Sequence, residues 1–491
     1  MKFYLRILLS LVCINAFVAQ AQSFDFNATC ELAYKNIIAL KLDSGKYYLA
    51  AEQKAHPTNY IPILLYNYID FLEVYTSGSL DLYEKKKKSF DERLNMLKNG
   101  DKNSPYYLYA QAEVHTQAAV MHIKFGEYLA TIFDVKKALK KLEGNQELYP
   151  EFLPNSKSLG MLNAILGSIP SQYQSTLEFI GLNGDVNKGM ELLKKSVEDN
   201  KHPFQHEAAT IYAFMLLHIQ NAPNSAWKVL QNNKFDAKTS LMDAYSLGHI
   251  GIYGNYCDAG INALLTRPTA NTFTSFPICN FLLGIGKTYR LDVDANSYFK
   301  KFLVTNQGAD YIKSSWHKMA WNELIARNTA KYQEYLAKVK NSGREVIDTD
   351  KQAVKEAESA EIPNPILLKV RMLTDGNYLT RALNILESYT VNSFKSRFDK
   401  TEYFYRLARI YDKSKQPKLA IQYYQITIIN GKNVPFYYAA NAAYLLGFLF
   451  EQQGNKLDAV KNYNLCLALD GYEYENSIHQ KAEAALNRLK N

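Results

Sequence analysis

Residues 404–424 read FYRLARIYDKSKQPKLAIQYY, and residues 446–463 read LGFLFEQQGNKLDAVKNY. In both, a small residue (Ala408, Gly447) sits among bulky ones. Twelve positions later comes a second small residue (Ala420, Ala459), followed at i+4 by a ring, Tyr424 or Tyr463. A residue and its i+4 neighbour lie on one helix face, one turn apart. The small member lets a neighbouring helix approach, and the large one fills the groove beside it. The spacing predicts two antiparallel helices in each stretch, with Gly454-Asn455 at the turn of the second.

The same small-then-large pair recurs upstream as Gly189/Leu193, Ala226/Leu230, Gly260/Leu264, Ala295/Phe299 and Ala382/Leu386, and Tyr332/Leu336 fills the remaining slot. First members are separated by 37, 34, 35, 37, 50, 38 and 39 residues. Twelve residues before each lies a second series: Leu177, Phe214, Gly248, Leu283, Ala320, Val370, Ala408 and Gly447. A period of this length is the mark of stacked helical units, none of which buries its apolar face alone.

Phe404, Leu407, Ala408, Tyr411, Ala420 and Tyr424 resemble the signature positions of the tetratricopeptide repeat family, as do Leu446, Gly447, Phe450, Ala459 and Tyr463. Trp316, Met319 and Ala320 supply the first helix of an earlier unit, while Gly251, Gly286 and Glu323 depart from the pattern. The resemblance implies an all-α fold, a right-handed α-solenoid of antiparallel helix pairs, and with the N-terminal segment read below it suggests a secreted bacterial protein of that kind. It also implies a concave groove that binds a peptide or protein. Carried over by register, the groove residues are His317 and Trp321; Tyr405, Arg409 and Asp412; and Tyr444, Phe448 and Glu451. Such a mixture of rings and charges suits binding hot spots.

The rest of the chain divides around this array. Residues 1–21 carry Lys2 and Arg6, an apolar run from Ile7 to Val18, and Ala19-Gln20-Ala21, which together read as a signal peptide cleaved before Gln22, with an uncleaved anchor the alternative. Residues 22–170 read as helical with degenerate repeats: Ile63–Tyr75 is a buried-face helix, and Gly45-Lys46-Tyr47 and Gly126-Glu127-Tyr128 look like inter-helix turns. Degenerate repeats follow over 171–340, and the clear ones occupy 366–476. Between them, 341–365 reads as a short exposed helix and linker in which Glu356 and Glu358 are solvated. Residues 477–491 form a capping helix with Ile478, Ala482, Ala485 and Leu489 in one stripe.

A chain of 491 residues exceeds what one core supports, and 47% apolar composition argues against disorder. Without residues 1–21 the balance is 55 basic to 48 acidic, a net +7 too dilute for a nucleic-acid surface. The lysine groups 85–88 and 136, 137, 140, 141 read as solvated helix faces. Cys30, Cys257, Cys279 and Cys466 are too scattered for a stapled domain. Buried thiols are the expectation, with a Cys257–Cys279 pair the alternative.

No catalytic residue, cofactor or metal is assigned. Gly284-Ile285-Gly286-Lys287-Thr288 lacks the leading glycine and strand of a phosphate loop, since Phe281 stands where the glycine belongs. His202 and His206 offer too few ligands for zinc, with Pro203 placing His202 at a helix start. His115 and His122 read as interruptions of a packed face, and no Gly-x-Ser-x-Gly elbow occurs. The expected function is a non-catalytic interaction scaffold, exported to the periplasm or envelope of a two-membraned bacterium, with a protein or peptide partner. The rivals are a helical-array enzyme acting on a carbohydrate or lipid, told by a deep pocket with converging carboxylates, and an oligomeric structural component.

Overall fold

A computed structural model describes residues 23–199, 202–359, 361–432, 434–472 and 474–490. The signal-peptide reading of 1–21 lies outside these residues. Among the described residues twenty-five α-helices follow one another: α1 Ala28–Ile38, α2 Leu42–Ala55, α3 Ile61–Ser77, α4 Leu80–Leu97, α5 Pro105–Phe125, α6 Tyr128–Leu148 and α7 Leu153–Gly167. Next are α8 Ser171–Phe179, α9 Val186–Glu198, α10 Gln205–His218, α11 Pro223–Asn232, α12 Leu241–Tyr253, α13 Cys257–Leu265, α14 Ile278–Arg290, α15 Ala295–Thr305, α16 Ile312–Ile325, α17 Thr329–Asn341 and α18 Asp348–Glu358. The last are α19 Pro365–Asp375, α20 Leu379–Glu387, α21 Arg397–Lys413, α22 Pro417–Gly431, α23 Tyr438–Gln452, α24 Lys456–Leu467 and α25 Glu475–Lys490. Among the described residues there is no strand beyond a lone bridge between Ser23 and Asn59, and no helix long and apolar enough to cross a membrane. The fold is an all-α solenoid.

Local chemistry starts these helices where they start. Asp185, Ser240, Ser396 and Asn455 accept backbone N–H bonds from the first turns of α9, α12, α21 and α24. Prolines open α5, α11, α19 and α22, where the missing N–H costs nothing. Glycines with positive φ, Gly126 and Gly454, end α5 and the turn after α23.

Every small-then-large pair from Gly189 onward falls on the second helix of a unit. Seven of the eight earlier anchors fall on the first helix. The contacts explain the size rule: a Cβ on Gly447 would stand 2.8 Å from the Tyr463 ring, and one on Gly248 2.5 Å from Leu264. Leu177 is the exception. It lies in α8, a short excursion, while α7 pairs directly with α9, so this pair spans the expected boundary at residue 170. There Gly189 approaches so closely that a Cβ would sit 2.4 Å from the Ala164 backbone nitrogen.

Two other local expectations are corrected. Gly45 lies inside α2, where a Cβ would meet Ile37 at 2.5 Å; the preceding turn is made by Leu40 at φ 65°. The segment before residue 365 is a packed helix, α18, which buries Asp350, Ala353, Val354 and Ala357 against α16 and α17.

The first array, α1–α17, coils back on itself. The backbone N–H groups of Leu241 and Thr274 donate to the Ala39 and Leu40 carbonyls at 3.2 and 2.8 Å. Gly78 and Gly308 meet backbone to backbone, and Arg344 bridges the Lys124 carbonyl (2.6 Å) and Asp310 (2.7 Å). One apolar core runs from Cys30 to Met372, so α1 fills space the stacked first helices would otherwise leave as groove. The second array, α19–α25, has its own cores and joins the first where Gly376 lies against Tyr289 and Tyr378 donates to Asp258.

Candidate functional site

The inner face of the second array and its junction with α16 brings together aromatic and cationic side chains. On α16, Lys318 Nζ lies 3.3 Å above the Trp321 ring, and the Arg371 guanidinium from α19 covers the same ring at 4.5 Å. Glu356 of α18 pairs with His317 at 3.1 Å and with Arg371 at 3.6 Å. Burial alone would raise the Glu356 carboxyl, but His317 and Arg371 outweigh it and hold the group well below the usual range. Burial lowers Lys318 to about 7 despite the attraction of Glu356. On α21, Arg406 pairs with Glu402 at 2.6 Å within the protein, and Lys413 donates to the Thr374 carbonyl at 2.8 Å. Burial and then neighbouring Arg409 bring Lys413 down to about 8, and Lys481 of α25 is lowered for the same two reasons.

The groove residues named from register fall into two groups. His317, Trp321 and Tyr405 are buried, and Asn441 Nδ2 donates to Tyr405 Oη at 2.5 Å. Arg409, Asp412, Tyr444, Phe448 and Glu451 are half-buried. Arg409 lies 3.8 Å from Asp412, which accepts the Tyr424 hydroxyl at 2.8 Å. Glu451 is committed to Tyr463 at 2.5 Å and Arg488 of the capping helix at 2.8 Å, which holds its carboxyl low against burial. His317 and Trp321 therefore form one cluster, Tyr405, Arg409 and Asp412 a second, and Glu451 faces the cap.

Lys318, Glu356, Arg371, Arg406 and Lys413 were missed by the sequence. Arg371 was within reach: it stands one residue after Val370, the register of Trp321, Arg409 and Phe448 after their own anchors. Glu356 was hidden because its neighbours are charged. The stripe Ala353, Val354, Ala357 was the signal that one face of that helix is buried.

The first array holds a different interior. A cavity of about 280 Å³ lies between α3, α5, α7, α10 and α12, with Phe71, Tyr75, Phe214 and Tyr245 among its walls. At its floor the fully buried Lys157 ammonium donates to Glu113 Oε2 (2.9 Å), Glu207 Oε2 (3.0 Å) and Tyr68 Oη (3.1 Å). Tyr34 donates to Glu207 Oε2 at 2.6 Å, Tyr68 donates to Glu113 Oε2 at 2.7 Å with Glu207 Oε2 3.0 Å away, and Ser158 donates to Glu113 Oε1. Burial opposes the Lys157 charge, yet the two carboxylates keep its pKa raised. Tyr68 lies on the helix read as having a buried face, but the cluster as such gave no signal, because its members converge from five helices.

The remaining motifs resolve into structure. Lys287 of the glycine-rich stretch lies in the last turn of α14 and pairs with Asp292 and Asp294 at 3.1 and 2.9 Å. His202 precedes α10 and bonds the Ser196 carbonyl at 2.8 Å, while His206 pairs with Asp243 at 2.9 Å. His115 and His122 both contact Asp134, at 2.8 and 3.1 Å. No group of three or more His, Cys, Asp or Glu side chains able to hold a metal occurs among the described residues. Of the lysine groups, Lys86 and Lys87 reach across to Asp70 (2.5 Å) and Glu127 (2.6 Å), which ties helices together rather than leaving a bare basic face. Cys30, Cys257, Cys279 and Cys466 are free and buried; Cys257 and Cys279 are not paired, and burial raises their thiols to about 11 and about 12.

The chain is similar to tetratricopeptide-repeat structures. The P58(IPK) tetratricopeptide domain is 14% identical over 83% of this chain and 97% of that one, with a TM-score of 0.20. Yeast Tom70 is 15% identical over 86% and 97%, with a TM-score of 0.24. The Cut9–Hcn1 complex of APC/C is 11% identical over 92% and 95%, with a TM-score of 0.25. No family model matches the chain, and no curated protein matches it.

Proposed function

We propose that the protein is a non-catalytic interaction scaffold whose second array takes an acidic, extended segment of a partner protein. One observation carries the reading. Along the face from α16 to α25, Lys318, Arg371, Arg406, Arg409, Lys413, Lys481 and Arg488 outnumber Glu356, Glu361, Asp375, Glu402, Asp412 and Glu451 by one, and the rings of Trp321 and Tyr437 lie among them. Burial first, and neighbouring Arg409 second, lower Lys413 and Lys481, and an incoming carboxylate relieves such poorly hydrated cations. Export to the bacterial envelope, which rests on residues 1–21, belongs to the same proposal.

Acid–base catalysis finds little support. The converging carboxylates that would favour an enzyme, Glu113 and Glu207, share Lys157, and Glu356 is held ionised by His317 and Arg371. A general acid needs a carboxyl kept protonated near neutral pH.

Fluorescence anisotropy with a labelled (Glu-Phe)4 peptide tests the reading, with (Lys-Phe)4 as the control. The acidic peptide is expected to bind more tightly and to weaken with salt. The Arg409→Glu/Lys481→Glu double variant is expected to reduce its affinity by tenfold or more. Equal binding of both peptides, or an unaffected double variant, refutes the acidic-segment reading.

A further inference from the structure

The cavity of the first array has a chemical polarity that selects a ligand. Its walls offer the rings of Phe71, Tyr75, Phe214 and Tyr245 and the thioethers of Met161 and Met215. Aromatic and thioether groups are polarisable and adaptable, and they suit a flat or flexible apolar body. At one end the surface turns polar at Glu207, whose side chain is 23% exposed where Lys157 and Glu113 are buried.

The hydrogen bonds at that end leave one oxygen spare. Glu113 Oε1 takes Ser158, and its Oε2 takes Tyr68 and Lys157. Glu207 Oε2 takes Tyr34 and Lys157, with the Tyr68 hydroxyl, whose one proton goes to Glu113, 3.0 Å away. Among the described residues, Glu207 Oε1 accepts no hydrogen bond. The formal charges of one ammonium and two carboxylates leave one negative charge uncompensated beside an apolar chamber. A fatty acid or other anion placed there would face that charge directly. An ammonium group would complete it, with the surrounding ring faces adding cation–π attraction.

We infer that this cavity is a binding site for a small organic amine, an ammonium head on an apolar body, with the head on Glu207 Oε1 and the body among the rings and thioethers. At close-packed density the chamber accommodates roughly ten to fifteen non-hydrogen atoms. A second cavity of about 440 Å³ shares Ile38 and His206 with the first and lies on the other side of Tyr34.

Calorimetric titration of the purified protein with 4-phenylbutylamine, 4-phenylbutanol and 4-phenylbutyrate separates charge from shape, because the three probes share one body. The amine is expected to bind at least tenfold more tightly than the alcohol, and the carboxylate not at all over the same range. Glu207→Gln is expected to bring the amine down to the affinity of the alcohol, and Met161→Trp, which fills the chamber, to abolish both. Equal affinity for amine and carboxylate, or no binding of the amine, overturns the inference on the unaltered protein. An amine affinity unchanged in a folded Glu207→Gln variant overturns the role given to that carboxylate. Peptide binding at the second array is independent of all these outcomes.

Discussion

The two arrays use one register for opposite ends. Three residues before and one after the anchor, the first array places Ile211 and Met215 on α10 and Tyr245 and His249 on α12; Ile211, Met215 and Tyr245 line its apolar cavity. In the second array the same slots hold Tyr405 and Arg409 on α21, Tyr444 and Phe448 on α23, and Arg371 on α19. The first coils until its own α1 occupies the interior, so the half-buried Ile211, Met215 and Tyr245 line an apolar cavity. The second remains uncoiled: Arg371, Arg409, Tyr444 and Phe448 are half-buried along its face, and Tyr405 is buried against α23. Register thus tells which way a side chain faces, and the curvature of the stack decides what it meets there.

Removing the charge that the first array buries gives the strongest contrast. Lys157→Met leaves Glu113 and Glu207 facing each other without their shared cation, and should destabilise the protein by about 3–5 kcal/mol in urea unfolding. Acidic-peptide binding at the second array, measured in the absence of denaturant, should persist. If both are lost together, the arrays unfold as one unit.

Next in size is the backbone approach between α7 and α9. Gly189→Val must push the helices apart, because even a Cβ meets Ala164 N at 2.4 Å, and should cost about 3 kcal/mol of unfolding free energy. A loss well under 1 kcal/mol would mean that this crossing is not rigid.

Stability should respond to pH through two lysines of the candidate site, Lys318 on α16 of the first array and Lys413 on α21 of the second. Lys318 and Lys413 are lowered to about 7 and about 8, against an unfolded lysine near 10.4. Below the folded values both must be charged in the native state, at a disadvantage that fades as pH rises towards the unfolded value. Stability should therefore increase from pH 7 to pH 9 by about 1–2 kcal/mol, and Lys318→Met should flatten most of that rise. A fall over this interval would contradict the assigned environments.

The smallest effect is expected at the cap. Arg488 is 55% exposed on α25, so Arg488→Ala should lower stability by at most about 1 kcal/mol. Hydrogen exchange should quicken in α24 and α25 while leaving the first array unchanged.

Legibility followed the same division. Helix pairs from Gly189 onward could be read because each unit repeats a contact between residues a few turns apart, as Gly447 and Tyr463 illustrate. The groove slots were legible only as directions: Trp321 and Tyr405 point inward by register, and the packing of α18 and α23 then buried them. Upstream the reading weakened. Gly45 has the composition of a turn but serves a close helix contact, and α8 interrupts the pair that Leu177 was expected to join. The Lys157 cluster could not be read at all. Its Tyr34–Glu207 bond joins residues 173 positions apart, and no local spacing encodes such a meeting.

The contact between Gly78 and Gly308, reinforced by Arg344 on the Lys124 carbonyl and Asp310, also has a mechanical meaning. An open coil of stacked helices lengthens under tension as a spring does, each layer tilting a little. Stitched across a full turn, the first array behaves as a closed hoop and resists stretching until the stitch tears, so a pull on the chain is taken up elsewhere first.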